Sequence, residues 1–168
     1  MTLSDRSRHG GVDEVPLPST AGRLWLCGKH FIGPDVEDAI AQVGATTVVC
    51  LNEAHELEAR YPDYVTWLRA NRDGRAVWSP VPDLHAPDVE TAVALVEHLR
   101  ARLETGETLL VHCGAGFGRA GTIAAALLLR LGMPLADVVP AVAAARPLAG
   151  PEAGVQTELL ASLAEFWG

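Results

Sequence analysis

VHCGAGFGRAG, residues 111–121, places one cysteine, a glycine-rich turn and one arginine between two apolar segments. Before it, Glu107–His112 is a short apolar run that follows the turn-like dipeptide Thr105-Gly106, and this pattern predicts a strand. After it, Ala120–Arg130 is an Ala/Leu segment of helical length. We therefore expect Cys113 at the junction between a strand and a tight loop that leads into a helix.

The glycines and the arginine of this loop are typical of a phosphate-binding site. Glycines allow backbone conformations that a side chain would obstruct, so the loop amides can converge at the N-terminus of the helix. Such amides bind an anion together with the helix dipole, and the planar fork of Arg119 fits two phosphate oxygens at once. The predicted phosphate-binding residues are Gly114, Ala115, Gly116, Phe117, Gly118 and Arg119.

The same electrostatic field predicts that Cys113 is a nucleophile, because positive surroundings favour the thiolate over the thiol. Attack of the thiolate on a bound phosphate monoester would give a phosphocysteine intermediate. The leaving oxygen then needs a proton. Asp83, thirty residues upstream in the proline-punctuated segment Ser79–Pro87, is the predicted general acid. Its neighbour His85 is a weaker candidate for this role.

The loop resembles the signature of the cysteine-dependent protein tyrosine and dual-specificity phosphatases, which is His-Cys, two residues, Gly, two residues, Arg. The positions that match in register are His112, Cys113, Gly116 and Arg119. The resemblance extends over about residues 22–167. Within the family the chain looks most like the group of the cyclin-dependent-kinase-associated phosphatase, through the segment Val49-Cys-Leu-Asn-Glu53.

Two further segments carry this resemblance. Asp83 with Pro87 looks like the movable general-acid loop of the family, and Arg146-Pro147 and Gln156 are similar to its C-terminal helical region. The resemblance implies a supporting role for Gln156 and a reaction that needs no cofactor. It also implies that the partner is a phosphorylated protein or a small phosphate monoester. Phosphotyrosine is the expected group, with phosphoserine and phosphothreonine as further substrates.

One position departs from the family pattern. The family carries Ser or Thr directly after the arginine, where the hydroxyl helps the sulfur leave in the second step, whereas this chain has Ala120. Thr122 is the nearest hydroxyl that could support the sulfur, but residues two apart on a helix do not share a face. Breakdown of the phosphocysteine is therefore expected to be slow. A weak or inactive module that binds phosphorylated partners stays open as an alternative.

A dinucleotide-binding turn is a second alternative, because Gly116–Gly121 also matches G-x-G-x-x-G between a strand and a helix. That fold needs another strand about 20 residues later that ends in an acidic residue. The chain instead continues through Gly132–Pro134 into an Ala-rich helical pattern that contains Asp137. The dinucleotide interpretation also leaves Cys113 and Asp83 without a role.

The other cysteines and the histidine of the signature indicate structural roles. Cys27 and Cys50 both end apolar, strand-like runs, where a free cysteine behaves as a small hydrophobic residue. Cys50 is also a candidate resolving thiol for Cys113 under peroxide, if their strands are neighbours. His112 is expected to point away from the substrate, because adjacent strand residues face opposite sides. The chain shows no metal-site spacing, so no metal is expected.

The rest of the chain predicts one α/β domain with a central, mainly parallel twisted sheet flanked by helices and a C-terminal helical region after the phosphate-binding loop. Residues 1–21 are polar and rich in Gly and Pro, so we expect a flexible N-terminal arm before a phosphatase-like catalytic domain at residues 22–168. Strand-like runs lie near 23–27, 46–51, 75–79 and 107–112, and helical patterns near 35–43, 53–70, 88–104, 119–131, 134–145 and 152–166.

Length, net charge and cysteine content restrict the classes of protein to which this chain can belong. A length of 168 residues with 49% hydrophobic content is enough for one domain with its own core. The net charge of −8 without a cluster of Lys and Arg argues against binding of nucleic acid or of anionic membranes. Three cysteines fit a reducing compartment, and Met1–Arg6 lacks the apolar core of a secretory signal. We therefore expect a cytoplasmic protein, and a monomer.

Overall fold

Five strands form one mixed sheet in residues 3–168, the part of the chain that this computed structural model describes. The strands are β1 Val12–Val15, β2 Arg23–Gly28, β3 Thr47–Cys50, β4 Ala76–Trp78 and β5 Thr108–Cys113. Their order across the sheet is β1-β2-β5-β3-β4, and every neighbouring pair is parallel except β1 with β2. The prediction of a mainly parallel sheet is confirmed.

Helices cover both faces of this sheet. They are α1 Leu3–His9, α2 Lys29–Ile32, α3 Val36–Val43, α4 Pro62–Ala70, α5 Val89–Glu104, α6 Gly118–Arg130, α7 Leu135–Ala145 and α8 Gly154–Trp167, with a short 3-10 helix at Ala54–Glu56. Asp35 and Asp88 cap α3 and α5, because their carboxylates accept hydrogen bonds from backbone N–H groups of the first turn. Within residues 3–168, none of these helices has the length and apolar character that crossing a membrane requires.

The central strand β5 determines which way the key side chains point. Leu109, Val111 and Cys113 belong to the core on the side of α5, α6, α7 and α8. Leu110 belongs to the core on the opposite side, beneath α2, α3 and α4, where Tyr64 is also buried. Alternation along the strand therefore separates Cys113 from its chain neighbour, and the catalytic candidate lies on the face covered by α6.

The helical pattern near 53–70 differs from the observed structure. The α-helix covers only Pro62–Ala70, and Ala54–Glu56 forms the separate 3-10 helix. The physical reason is Pro62, because a proline disfavours helical conformation at the residue before it and fits the first turn of a new helix. Tyr61 accordingly has φ −127° and ψ 56° and precedes the helix as its N-cap. This break places Glu56 on a short turn beside the carboxyl end of the sheet.

The N-terminal segment also differs from the expected flexible arm at residues 1–21. Val12–Val15 forms an edge strand that pairs antiparallel with β2, and Val15 is fully buried. Asp13 forms ion pairs with Arg6 at 2.8 Å and with Arg146 at 2.7 Å, which attach this strand to the C-terminal half. Residues 1 and 2 of the predicted arm lie outside the described part. Strand pairing and buried charge thus extend the ordered domain upstream of residue 22.

Candidate active site

The structure brings the predicted nucleophile, arginine and general acid into one cleft of about 370 Å³. Cys113 ends β5 and is 3% exposed, and the backbone N–H of Ala120 lies 3.4 Å from its sulfur. Arg119 and Asp83 line the same cleft. The predicted phosphate-loop residues that line it as well are Gly114, Ala115, Phe117 and Gly118. The cleft therefore collects the groups that a phosphoryl transfer through cysteine requires.

Gly116 shapes the loop from behind instead of lining the cleft. Its φ is +82°, and a Cβ at this position would overlap the carbonyl group of Cys27. A side chain is thus excluded here both by backbone conformation and by the close approach of β2. The neighbouring carbonyl of Gly114 accepts a hydrogen bond from the backbone N–H of Lys29 at 2.8 Å. The end of β2 and the start of α2 therefore fix the path of the loop.

Arg146 holds the loop carbonyls on the side away from the cleft. Its Nε donates to the carbonyl of Gly116 at 3.0 Å, and one Nη donates to the carbonyl of Ala115 at 2.9 Å. Its guanidinium carbon lies 4.9 Å from the ring centroid of Phe117. Because these carbonyls are bound from behind, the adjoining peptide N–H groups are free to face an anion. The buried charge of Arg146 is balanced by Asp13.

Arg119 is positioned by Glu56, a residue that sequence reasoning did not identify. Both Nη atoms of Arg119 donate to the two carboxylate oxygens of Glu56 at 2.8 Å, and one also donates to the carbonyl of Val81 at 2.8 Å. The Nε of Arg119 is buried and has no hydrogen-bond partner among residues 3–168. A phosphate oxygen would supply the missing acceptor, since buried polar groups are almost always paired.

Local contacts hold the Glu56 carboxylate in its ionised form. The backbone N–H of Glu53 donates to it at 2.8 Å, and the side-chain amide of Asn52 donates at 3.0 Å. Burial raises the pKa of Glu56, but hydrogen bonds from Arg119 and from the Glu53 backbone outweigh this and lower the pKa to about 2. The sequence signal for this arrangement is the spacing Glu53-x-x-Glu56 after a strand, which forms a capping box.

Asp83 projects over the cleft from the loop after β4. Its side chain is 75% exposed, and one carboxylate oxygen lies 3.5 Å from an Nη of Arg119. The same oxygen accepts from the backbone N–H of Leu84, which has a left-handed φ of +64°. His85 instead directs its Nδ1 at the backbone carbonyl of Asp83, at 2.8 Å, and is not part of the cleft wall. The geometry favours Asp83 over His85 as the proton donor.

Gln156 and Thr122, the two predicted supporting residues on the helices, bond to the backbone and not to the cleft. Gln156 is buried, donates to the carbonyl of His85 at 3.1 Å and accepts from the backbone N–H of Glu152 at 2.6 Å. It therefore ties α8 to the loop that carries the acid. Thr122 donates to the carbonyl of Gly118 at 2.7 Å, so its hydroxyl does not reach the sulfur in place of the residue missing at Ala120.

His112 faces the opposite side of the sheet from the nucleophile. Its Nε2 lies 2.5 Å from the hydroxyl of Tyr64, and its Nδ1 lies 3.3 Å from the carbonyl of Cys113. Complete burial lowers the pKa of His112 to about 4, so the ring is neutral at ordinary pH. The buried ring thus contacts the end of β5 and does not line the cleft.

The peroxide link between Cys50 and Cys113 stays a prediction; their strands are neighbours, but the two thiols belong to the cores on opposite faces of the sheet. Cys50 on β3 and Cys27 on β2 both pair in register with His112, one from each side of β5. Side chains at paired positions share a face of the sheet, so both cysteines lie on the face of His112 and opposite Cys113. Burial raises the pKa of the Cys50 thiol to about 12. Cys27 and Cys50 are also separated from each other by β5, and both are completely buried.

The dinucleotide interpretation also fails on the structure. After the phosphate-binding loop the regular elements of the described chain are the helices α6, α7 and α8, with Asp137 in the first turn of α7. In residues 3–168 no strand follows β5, so the second strand that would present an acidic residue to a ribose is not formed. The glycines at 116–121 serve the turn beside Cys113 and not a dinucleotide.

Comparisons with known proteins agree with this geometry. Residues 31–154 match the family model of the "Swiss Army Knife protein, DSP-PTPase phosphatase domain". Dual specificity phosphatase 28 from Homo sapiens is 29% identical over 162 residues, which are 95% of this chain and 85% of that protein. Cyclin-dependent kinase inhibitor 3 from Sus scrofa is 40% identical over 52 residues, but this match spans only 31% of the chain and 24% of that protein.

A solved structure extends the similarity to the fold. The crystal structure of kinase associated phosphatase, with its catalytic site cysteine replaced by serine, superposes with a TM-score of 0.78. The superposition covers 94% of this chain and 95% of that one at 19% identity, a level at which the likeness concerns the fold. The overall fold is therefore shared with a solved phosphatase domain.

Proposed function

Because the chain belongs to the DSP-PTPase family of phosphatase domains, we propose that it is a cysteine-dependent phosphatase that hydrolyses phosphate monoesters. Protein phosphotyrosine is the proposed main substrate, with phosphoserine and phosphothreonine as further ones. The observation that carries the proposal is the unpartnered, buried Nε of Arg119 in the cleft that also contains Cys113 and Asp83. This donor, the loop amides and the sulfur surround a space that suits a phosphoryl group.

The first chemical step transfers the phosphoryl group to the sulfur. The thiolate of Cys113 attacks phosphorus, a sulfur–phosphorus bond forms, and the bond between phosphorus and the ester oxygen breaks. Asp83 gives its proton to the departing oxygen, so the substrate leaves as an alcohol or a phenol. Arg119 and the loop N–H groups stabilise the charge on the equatorial oxygens throughout the transfer.

The second step returns the enzyme to its starting state. A water molecule attacks the phosphocysteine, Asp83 accepts a proton from that water, and the sulfur leaves as a thiolate while inorganic phosphate forms. The only hydrogen bond donated to the sulfur in residues 3–168 is that from the N–H of Ala120 at 3.4 Å. With no hydroxyl at this position, the thiolate is a poorer leaving group. We therefore propose that this step limits turnover.

A second candidate function follows from the same position. If breakdown of the phosphocysteine is slow enough, the protein acts as a module that binds phosphorylated partners and retains them. Ala120 is the observation that favours this alternative, because it removes a group needed for release and leaves the phosphate-binding loop intact. Both functions have a phosphorylated protein as partner. A cytoplasmic location and a monomeric state remain predictions from the sequence.

Turnover and binding of matched variants test the proposal. Wild type, Cys113→Ser and Asp83→Asn are assayed on p-nitrophenyl phosphate and for affinity towards a phosphotyrosine peptide. We expect Cys113→Ser to abolish turnover and keep peptide affinity, and Asp83→Asn to lower kcat by ~10²-fold or more. Asp63→Asn, on the exposed first turn of α4, is the control and should leave both unchanged.

The results separate the two functions. Wild-type binding of the peptide without measurable turnover would assign the binding module. Turnover that survives Cys113→Ser would refute the cysteine mechanism.

A further inference from the structure

A second, larger cavity of about 480 Å³ adjoins the active-site cleft, and we refer to it as the adjoining groove. Its walls come from α1, from the α2–α3 region and from the turn before α4, and the residues used below are Arg8, His30, Asp35, Asp38 and Arg60. His30 lines both the groove and the cleft, and Lys29 beside it lines the cleft. The two cavities therefore meet at the start of α2.

Cations without a carboxylate partner concentrate at this junction. The chain has thirteen Lys and Arg residues, and in the described part nine of them lie within 4 Å of a carboxylate oxygen. The four without such an ion pair are Arg8, Lys29, Arg60 and Arg72. Three of these four line the groove or the cleft. In a chain of net charge −8, these three cations are the positive charges of the two cavities without an ion pair, and the groove also contains the carboxylates of Asp35 and Asp38.

The surroundings of His30 show that two of these cations lie close to the junction. Burial lowers the pKa of His30, and the charges of Arg60 and then Lys29 lower it further. The ring Nδ1 of His30 lies 2.5 Å from the hydroxyl of Tyr61, the residue that follows Arg60. The junction thus brings two positive charges near His30, an arrangement that suits an anion.

The two carboxylates of the groove, Asp35 and Asp38, belong to its α3 wall and, within the described chain, accept hydrogen bonds only from neutral donors. Asp35 accepts from the backbone N–H of Asp38 at 3.1 Å as the cap of α3, and Asp38 accepts from the side chain of Gln42 at 2.8 Å. Neither lies within 4 Å of a basic group among residues 3–168. Asp35 and Asp38 belong to the α3 side of the groove, whereas Lys29 and Arg60 lie near His30. The α3 wall would disfavour an anion, so the bound group is expected on the His30 side.

We infer that the adjoining groove binds a second anionic group, carboxylate or phosphate, on the same peptide whose phosphorylated residue occupies the cleft. This inference rests on the proposed function and names its substrate class, which is a phosphotyrosine segment flanked by acidic or phosphorylated residues. The phosphate loop supplies no cation besides Arg119, so recognition of the second charge falls to residues outside it. Arg8 and Arg60 are the specificity-determining residues, and Lys29 connects them to the cleft.

Three peptides of equal length test the inference: phosphotyrosine flanked by alanines, by glutamates, or by phosphoserines. We expect wild-type kcat/KM to be about twofold to tenfold higher for the charged peptides than for the alanine peptide, because each exposed charge pair adds a small increment. The preference should decline in ~0.5 M NaCl, where such pairs are screened. A larger gain with phosphoserine identifies phosphate as the bound group, and a larger gain with glutamate identifies carboxylate.

Variants then locate the effect. Arg8→Gln combined with Arg60→Gln should remove the preference and leave turnover of p-nitrophenyl phosphate unchanged. Arg72→Gln is the matched control, because Arg72 is the fourth cation without an ion pair but lies over the ring of Trp78, away from both cavities. An equal kcat/KM for all three peptides in wild type would overturn the inference, and so would an equal loss of preference in the Arg72 control.

The peptide affinities of Cys113→Ser keep this test separate from catalysis. That variant cannot form the phosphocysteine, so an affinity difference between the peptides reports the groove even if turnover is slow. If wild type hydrolyses p-nitrophenyl phosphate but Cys113→Ser binds all three peptides equally, the groove is refuted and the proposed function still stands. If wild type shows no turnover and Cys113→Ser binds the acidic peptides more tightly than the alanine peptide, the proposed phosphatase activity is refuted and the groove is supported.

Discussion

Replacement of Glu56 by glutamine removes one charge from the centre of the site and keeps its shape. Glu56 is 15% exposed and accepts from both Nη atoms of Arg119, which is itself 4% exposed. Glutamine can accept only one of these hydrogen bonds and carries no negative charge. The variant therefore leaves the buried guanidinium with only Asp83 nearby, at 3.5 Å and mostly in solvent. Removing one member of a buried pair is far more costly than losing a surface pair.

The pKa of Glu56 gives the size of the effect. A decrease from the ordinary 4.5 to about 2 corresponds to about 3 kcal/mol, at 1.36 kcal/mol per pKa unit. The folded-state pKa is depressed, so this stabilisation is fully present above pH 4.5 and is lost as the pH falls through the window down to about 2. We expect Glu56→Gln to lower the free energy of unfolding by about 3 kcal/mol near neutral pH. The difference from wild type should shrink progressively below pH 4.5.

Urea unfolding followed by tryptophan fluorescence, repeated between about pH 7 and pH 3, measures this difference. Vanadate binding at about pH 7 reports the site directly, and we expect weaker binding because Arg119 is no longer oriented. Glu53→Gln is the matched control on the same turn, since its carboxylate is 37% exposed, forms an ion pair with His55 and caps the 3-10 helix, where the glutamine oxygen can still accept; it should cost below ~1 kcal/mol. A loss in Glu56→Gln that is equal at both pH values would refute the electrostatic argument.

The remaining predictions concern the loop and the sulfur. Ala120→Ser places a hydroxyl beside the sulfur that the Ala120 amide already contacts, and it should raise steady-state turnover by about fivefold; an unchanged burst and steady state with p-nitrophenyl phosphate would contradict this. Asp13→Asn leaves Arg146 without its counter-charge and should destabilise the fold by about 3 kcal/mol and weaken vanadate binding roughly tenfold. Gly116→Ala should abolish vanadate binding because its Cβ overlaps β2, whereas Gly44→Ala, also at positive φ but in open space, should cost only ~1 kcal/mol and bind normally.

Local patterns predicted the elements that a short window of sequence determines. The apolar run before Cys113 and the Ala/Leu segment after it became β5 and α6. The signature spacing predicted that the cysteine and Arg119 would face one cleft, because the five residues of glycine-rich loop between them leave few other paths. Alternation along a strand predicted that His112 would face away from the substrate, and its contact with Tyr64 is on that opposite face.

Residues that act through distant contacts could not be predicted in this way. Glu56 is separated from Arg119 by 63 positions in the chain, and Asp13 is separated from Arg146 by 133. No periodicity connects such pairs, because they meet only when β1 joins the sheet edge and the 3-10 turn reaches the end of β3. The break at Pro62 was visible in the sequence, but the apolar pattern around it favoured one long helix over two short elements.

The two buried arginines explain why these distant carboxylates matter to the chemistry. Arg146 binds the loop carbonyls from behind, and Arg119 faces the cleft, so one short loop has a buried guanidinium on either side. Two uncompensated charges at this depth would oppose folding. Asp13 and Glu56 supply one compensating charge each, and they come from segments on opposite sides of the loop. The shape of the phosphate site is therefore coupled to the N-terminal strand, which makes Asp13 a positioning residue although it touches no substrate.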